Sequence, residues 1–256
     1  MMNQHQKSVI EQFTRQAAPF SKSIGHQNEE SLRLLMELAA VSGKDTALDV
    51  ACGTGMVACA FATVARQVSG IDLTPAMLEQ ARLLAERQGL TNLSWHQGDM
   101  ETLPFADNRF SIVLSRYAFH HFPNPGVVVR EMARVCCPGG RVLIADACPP
   151  PDKAEAFNHF EKLFDPSHHR ALTVDEFQGL LSTANLQNVR LMDYKMEMEL
   201  EAHLAASFPN PGDDEQIRQL FRADVGVDRL GVGVHLRGNE IHYAYPVTVF
   251  VAEKAG

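Results

Sequence analysis

The residues of this chain whose types and spacing carry chemistry are three carboxylates set around a glycine loop. The short apolar stretch Ala47-Leu48-Asp49-Val50 runs into Ala51-Cys52-Gly53-Thr54-Gly55. Glycine at such a point lets backbone approach a ligand with no Cβ in the way. Asp72 follows 19 residues after Gly53, at the end of the next apolar stretch. Gly53-x-Gly55-x-x-Ala58 with that carboxylate fits a dinucleotide fingerprint, so the loop alone leaves NAD and other adenosine cofactors open. Asp49 weighs against a pyrophosphate, which gains nothing from an added negative charge, and favours a cationic amino-acid tail. Gly98-Asp99-Met100 then adds an acceptor for the exocyclic amine of adenine and a thioether to pack on its ring.

The elements that must position these residues follow from periodicity. Residues 3–17 and 28–41 read as helices, joined by the breaker-containing stretch Pro19–Gly25. From residue 46, strands at Thr46–Ala51, Gln67–Ile71, Leu93–His96, Phe110–Ser115 and Arg141–Asp146 alternate with helices at Met56–Ala65, Pro75–Gln88 and Val127–Val135. That alternation predicts βαβ units and a parallel, doubly wound sheet. Thr173 and Glu176 form a capping box for a helix over Thr173–Thr183. Val189–Met196 and Tyr245–Ala252 read as the last two strands. The stretch 200–242 between them is too long for a plain loop and predicts a cap, with a short helix carrying Ile217, Leu220, Phe221 and Val225. The chain thus reads as one domain over 1–256: N-terminal helices at 1–42, a cofactor-binding core at 43–147, and C-terminal strands with the cap insertion at 148–256.

Composition excludes several classes of protein. Acidic residues outnumber basic ones, 31 to 23, and no Lys/Arg-rich run interrupts the chain, which argues against a nucleic-acid partner held by phosphate contacts. Apolar runs such as Arg141–Ala147 fall far short of the roughly 20 residues that span a bilayer. The N-terminus lacks an apolar signal core, and five cysteines without a C-x-x-C pair read as reduced thiols, so a cytoplasmic location is expected. Although there are 11 histidines, no H-E-x-x-H occurs and the adjacent His pairs lack i,i+4 spacing, so no metal is expected. No G-x-S-x-G marks a nucleophilic serine.

Together, Leu48-Asp49-Val50-Ala51-Cys52-Gly53-Thr54-Gly55, Gly70-Ile71-Asp72, Gly98-Asp99-Met100-Glu101-x-Leu103-Pro104-Phe105, Phe110-Ser111-Ile112-Val113 and Pro138-Gly139-Gly140 resemble class I S-adenosylmethionine-dependent methyltransferases. Within that class the series is similar to the small-molecule branch that holds the ubiquinone/menaquinone-type enzymes. The resemblance spans about residues 45–147, and Ala51 stands where the family usually has glycine. It implies a Rossmann-like, mostly parallel seven-stranded sheet with an antiparallel last strand and helical cap insertions. It also implies S-adenosylmethionine as cofactor and methyl transfer to an O, N or C nucleophile of a small molecule. Asp49 would steer the loop and the methionine amino group, while Ala51, Gly53 and Gly55 give close backbone approach. Asp72 would accept from both ribose hydroxyls, with Leu73 and Met77 flanking adenine. Asp99 would take the adenine amine, Met100 would lie against the ring, and Ser115 and Arg116 would line the sulfonium end.

Methyl transfer draws much of its acceleration from positioning, and a base is needed only when the acceptor must lose a tightly held proton. His120 and His121 are the candidates for that base. His168 and His169, in Asp165-Pro166-Ser167-His168-His169-Arg170, are candidates for substrate binding. Phe13, Phe20, Phe157, Phe160, Phe164, Phe208 and Phe221 are offered as apolar walls for the acceptor. The alternatives are an NAD-dependent oxidoreductase and a protein that binds the cofactor without methylating. A homodimer is the one assembly left open.

Overall fold

The computed structural model describes residues 2–20 and 27–256. Of the expected linker Pro19–Gly25, Pro19 and Phe20 are instead the last residues of the first helix, while 21–25 and the Phe20 side chain lie outside the described residues. Helices α1 (Gln4–Phe20) and α2 (Gln27–Ala39) precede the alternating region. There β1 (Thr46–Val50), α3 (Met56–Ala62), β2 (Gln67–Asp72), α4 (Pro75–Arg87) and β3 (Leu93–Gln97) form one half. The other half is β4 (Phe110–Arg116), a 3-10 turn (Phe119–His121), α5 (Pro125–Val135) and β5 (Cys136–Ala147). The C-terminal part holds α6 (Ala154–Phe164), α7 (Val174–Thr183), β6 (Leu186–Glu199), α8 (Leu200–Ser207), α9 (Asp213–Asp224), β7 (His235–Arg237) and β8 (Glu240–Lys254).

The strands lie in the order β3-β2-β1-β4-β5-β8-β6, with β1 to β5 parallel and β8 antiparallel to its neighbours. The doubly wound sheet and its antiparallel last strand are as expected, and the short β7, paired to β8 by a hairpin, brings the count to eight. Helices cover both faces, so the inner strands read as apolar runs: Leu48, Val50, Ile71, Val113 and Ile144 pack in one layer, and Ala47, Val68, Ile112, Leu114 and Leu143 in the other. The strand order reverses between β1 and β4, and the carboxyl ends flanking that switch point are where open α/β sheets bind ligands.

The C-terminal part departs most from expectation. β6 has 14 residues and β8 has 15, because the two hold a long antiparallel ladder from Leu186↔Lys254 to Glu199↔His242. The edge strand β6 is exposed along much of its length and polar, so its hydropathy pattern stops short of the ladder. The capping box of α7 is present, with both Thr173 and Glu176 taking part. Residues 200–242 contain two helices rather than one, and Ile217 and Phe221 of α9 are buried.

Several of the phenylalanines offered as acceptor walls have a different role. Phe157, Phe160 and Phe164 of α6 pack edge-to-face with one another and with Phe221, in a satellite core that also takes Tyr243 and Tyr245 from β8. Phe208 is exposed and sits in the left-handed region at φ 56° as the end of α8. The cap is therefore a packed layer, and excising 209–238 would remove the buried Ile217, Phe221, Leu230, Val232 and Val234. Its link to the site is indirect. The side-chain amides of Gln12 and Gln16 both donate to the carbonyl of Ser207, at 2.6 and 3.0 Å, which fixes α1 to the end of α8.

Candidate active site

A cavity of about 1170 Å³, counted with its open mouth, lies at the carboxyl ends of β1, β2 and β4 beneath the first turns of α1. Ala51, Gly53, Asp72, Leu73, Met77, Asp99, Met100, Arg116 and His121 all reach its wall. Asp49, Gly55, Ser115, His120, His168 and His169 do not.

The loop after β1 shows why its two glycines differ. Gly53 has φ +52°, and a Cβ built on it would meet nothing within 4 Å, so the bare backbone faces the cavity. Gly55 has φ +80°, and a Cβ there would stand 2.7 Å from both Ala81 Cβ and the Trp95 ring. Gly55 therefore serves the contact of the loop with α4 and β3, and the bare backbone at the cavity belongs to Gly53. Ala51 also adopts a positive φ of 57° and lines the cavity.

The carboxylates divide in the same way. Asp49 is buried beneath the loop and accepts the Ala58 N–H at 3.0 Å, bracing the start of α3. Burial pushes its carboxyl up to about 7 despite that bond and the nearby Arg116. It thus supports the loop from below and does not reach the cavity. Asp72 closes the loop from the other side: one oxygen accepts Gly53 N–H at 2.8 Å, the other Thr74 N–H at 2.8 Å. Burial raises its pKa, and the Thr74 and Gly53 amides oppose that rise. Held by these amides, the carboxylate stays at the cavity wall as an acceptor. Paired acceptors beside a bare backbone, with Leu73, Met77 and Met100 close by, fit a nucleoside with an adjacent hydroxyl pair.

Asp99 sits at the other end of this wall. Its Oδ1 accepts Glu101 N–H at 2.9 Å and its Oδ2 accepts the Gln6 amide at 2.6 Å. Gln6, His5, Val9 and Phe13 of α1 close the cavity from above. Among the described side chains of the expected set, Phe13 is the one phenylalanine that does so, and its ring meets His121 edge-on with centroids 4.9 Å apart. The sequence does not mark Gln6 as a site residue. The sequence signal available for it is the spacing Asn3-x-x-Gln6, a helix-start pattern. Arg116 lies over the Tyr117 ring and donates toward Ser31. Ser115 is turned away, its hydroxyl buried with no hydrogen-bond partner among the described residues.

The histidines form one cluster with unequal roles. His120 Nδ1 lies 2.7 Å from Asp146 Oδ1, and Asp146 is 1% exposed. Burial alone would lower the His120 pKa, but the Asp146 charge and hydrogen bond, helped by Glu161 and Asp165, raise it to about 9. His121 moves the other way, to about 4, through burial and the neighbouring His120 cation. Its Nδ1 faces the Ser167 carbonyl at 3.3 Å and the Ser167 hydroxyl at 3.4 Å. That hydroxyl donates to Asp165, so both partners of Nδ1 are acceptors. The ring proton is therefore on Nδ1, and Nε2 carries the lone pair. His168 is a core residue bonded to Asn158 at 2.8 Å, and burial drives its pKa down to about 2. His169 is exposed, with its ring 5.8 Å from that of His5. Neither reaches the cavity, because their loop packs its backbone on the His120 carbonyl instead.

Comparison with known proteins agrees with this geometry. Residues 48–144 match the family model described as a methyltransferase domain. An uncharacterized methyltransferase of Bacillus subtilis, YcgJ, is 32% identical over 237 residues, 88% of this chain and 93% of the relative. The chain belongs to this methyltransferase family. The solved YcgJ structure superposes with a TM-score of 0.83, covering 89% of this chain and 99% of that one, at 29% identity. A putative methyltransferase from Bacillus halodurans gives 0.82 at 30% identity, covering 89% of this chain and all of that one. The ubiquinone/menaquinone biosynthesis C-methyltransferase UbiE of Pseudomonas putida is 32% identical over 149 residues, 56% of this chain and 58% of its own length. This chain is an S-adenosylmethionine-dependent methyltransferase resembling the UbiE type. Among the described residues, no helix is long and apolar enough to cross a membrane.

Proposed function

We propose that the enzyme binds S-adenosylmethionine along the Gly53–Asp72–Asp99 wall and methylates a small-molecule acceptor held near His121 and Arg116. The observation that carries this reading is the convergence of Asp72, Asp99, Gly53 and His121 on one cavity, although they come from four separate segments. The bound cofactor supplies an activated methyl group and leaves as an uncharged thioether. Asp72 takes the ribose hydroxyls, Asp99 the adenine amine, and Leu73, Met77 and Met100 pack on the base. The turns of α1 exclude water, and Phe13 fixes the His121 ring. His121 Nε2 accepts a hydrogen bond from an O–H or N–H of the acceptor and aims the nucleophile for in-line attack, and the acceptor's proton, released as the new bond forms, passes to solvent at the open mouth of the cavity.

With its pKa near 4, His121 is neutral through the physiological range and serves to orient the acceptor. His120, behind it, is tied to Asp146 and holds His121 neutral. A cytoplasmic location, the expectation from five cysteines without a C-x-x-C pair, goes with this reading. As an expected outcome, His121→Phe lowers turnover by about tenfold or more, the scale of one well-made hydrogen bond, while affinity for S-adenosylhomocysteine stays within about twofold. Transfer of labelled methyl to acceptors from a metabolite panel, with calorimetry on the same samples, measures both. Equal turnover by the variant would remove His121 from acceptor binding.

A further inference from the structure

The Gln6 side chain meets the cofactor wall at the atom on which recognition of adenine depends. Gln6 belongs to a reciprocal capping arrangement at the start of α1: Asn3 N–H donates to Gln6 Oε1 at 2.9 Å, and Gln6 N–H donates to Asn3 Oδ1 at 2.8 Å. With Oε1 engaged as an acceptor, the orientation of the amide is fixed and its NH₂ group must point the other way. It points at Asp99 Oδ2, 2.6 Å distant. Asp99 Oδ1 accepts the Glu101 backbone N–H, and the Gln6 NH₂ meets Oδ2 at the cavity wall, so overlap of the two donors at that oxygen, and not a shortage of lone pairs, sets them against each other. Both Gln6 and Asp99 line that cavity. A carboxamide NH₂ and the exocyclic amine of adenine are the same kind of donor: neutral, planar and conjugated.

α1 cannot give up this contact by drifting, because it is held at two other places. Gln12 and Gln16 bind the Ser207 carbonyl near its far end, and His5 Nε2 lies 2.6 Å from the His121 carbonyl at its near end. We propose that Gln6 and the adenine amine compete for Asp99 Oδ2, which makes Gln6 a specificity-determining residue of the cofactor site. The proposal rests on the reading of Asp99 as the amine acceptor. Where a ligand's amine replaces Gln6, one charge-assisted bond is exchanged for another of the same kind, and the amine adds little net affinity. Linkage requires the converse: a ligand that bears the amine loosens the first turn of α1, and one that lacks it leaves that turn bound.

The test uses the full chain, isothermal calorimetry and two ligands: S-adenosylhomocysteine and its deamino analogue with purine in place of adenine. Gln6→Leu and Gln6→Met both delete the competing donor, and any effect on α1 stability alone moves both ligands together. The expected result is that each folded variant binds S-adenosylhomocysteine about tenfold more tightly than the wild type, the scale of a hydrogen bond to a charged group, with the deamino analogue unchanged. Unchanged or weaker binding of S-adenosylhomocysteine in both variants, or a parallel shift for both ligands, overturns the competition. Wild-type protein that binds neither ligand overturns the cofactor reading, and the competition falls with it.

Discussion

Asp72→Ala lowers the affinity for S-adenosylmethionine and S-adenosylhomocysteine by on the order of 10- to 100-fold, which corresponds to about 1.5–3 kcal/mol for bonds to a charged group. The effect has two sources. The ribose hydroxyls lose the carboxylate that accepts from them. The loop itself loses its tie, because Gly53 N–H and Thr74 N–H both end on this side chain. Asp72→Asn separates the two contributions in part: its one oxygen still accepts from a backbone amide, while its NH₂ faces the other amide, donor against donor. Calorimetry on both variants reads the outcome, with thermal melts to establish folding. A folded Asp72→Ala variant with wild-type affinity would remove Asp72 from the site.

Asp146→Asn costs about 3–5 kcal/mol of stability at neutral pH, the range for removing one partner of a buried ion pair. Asp146 is 1% exposed and accepts three bonds, from Phe119 N–H, His120 Nδ1 and Ala147 N–H, each at 2.7 Å. Asparagine has one acceptor oxygen, so whichever way its amide turns, at least one of these donors meets an NH₂ group. The pair also sets a pH dependence. In the folded protein the His120 pKa is about 9, above its ordinary value of 6.5. The native state therefore holds this proton more tightly, and the stabilisation is complete below pH 6.5 and is lost as pH rises through about 9. Urea midpoints of the wild type should fall across that window, and those of Asp146→Asn should fall less. A loss below about 1 kcal/mol, or the same pH slope in both proteins, would contradict a charged His120–Asp146 pair.

The parts of this fold legible in the sequence are those in which local pattern and tertiary role coincide. β1, β2 and β4 are buried on both faces, so their apolar runs mark them, and Thr173 with Glu176 signals the start of α7 by chemistry local to four residues. The glycine loop is legible for its existence but not for the division of labour within it. Only the Ala81 and Trp95 side chains, distant in sequence, show that Gly55 serves packing while Gly53 faces the cavity. The histidines follow the same rule. The adjacent pair at His120 and His121 stands out, yet their opposite pKa shifts come from Asp146 and from burial, neither of which adjacency encodes. His168 has the residue type of a site but packs in the core, and Gln6 looks like a solvated helix residue until it is found on Asp99, 93 positions away.

The central claim is that the cavity under α1 is a site for an adenosine cofactor with a methionine tail, and calorimetry on the wild-type chain tests it most directly. S-adenosylmethionine, S-adenosylhomocysteine and NAD are titrated separately under one buffer condition. Both sulfur ligands are expected to bind with one site per chain, and NAD to give no saturable heat. Saturable binding of NAD, with neither sulfur ligand bound, would contradict the claim.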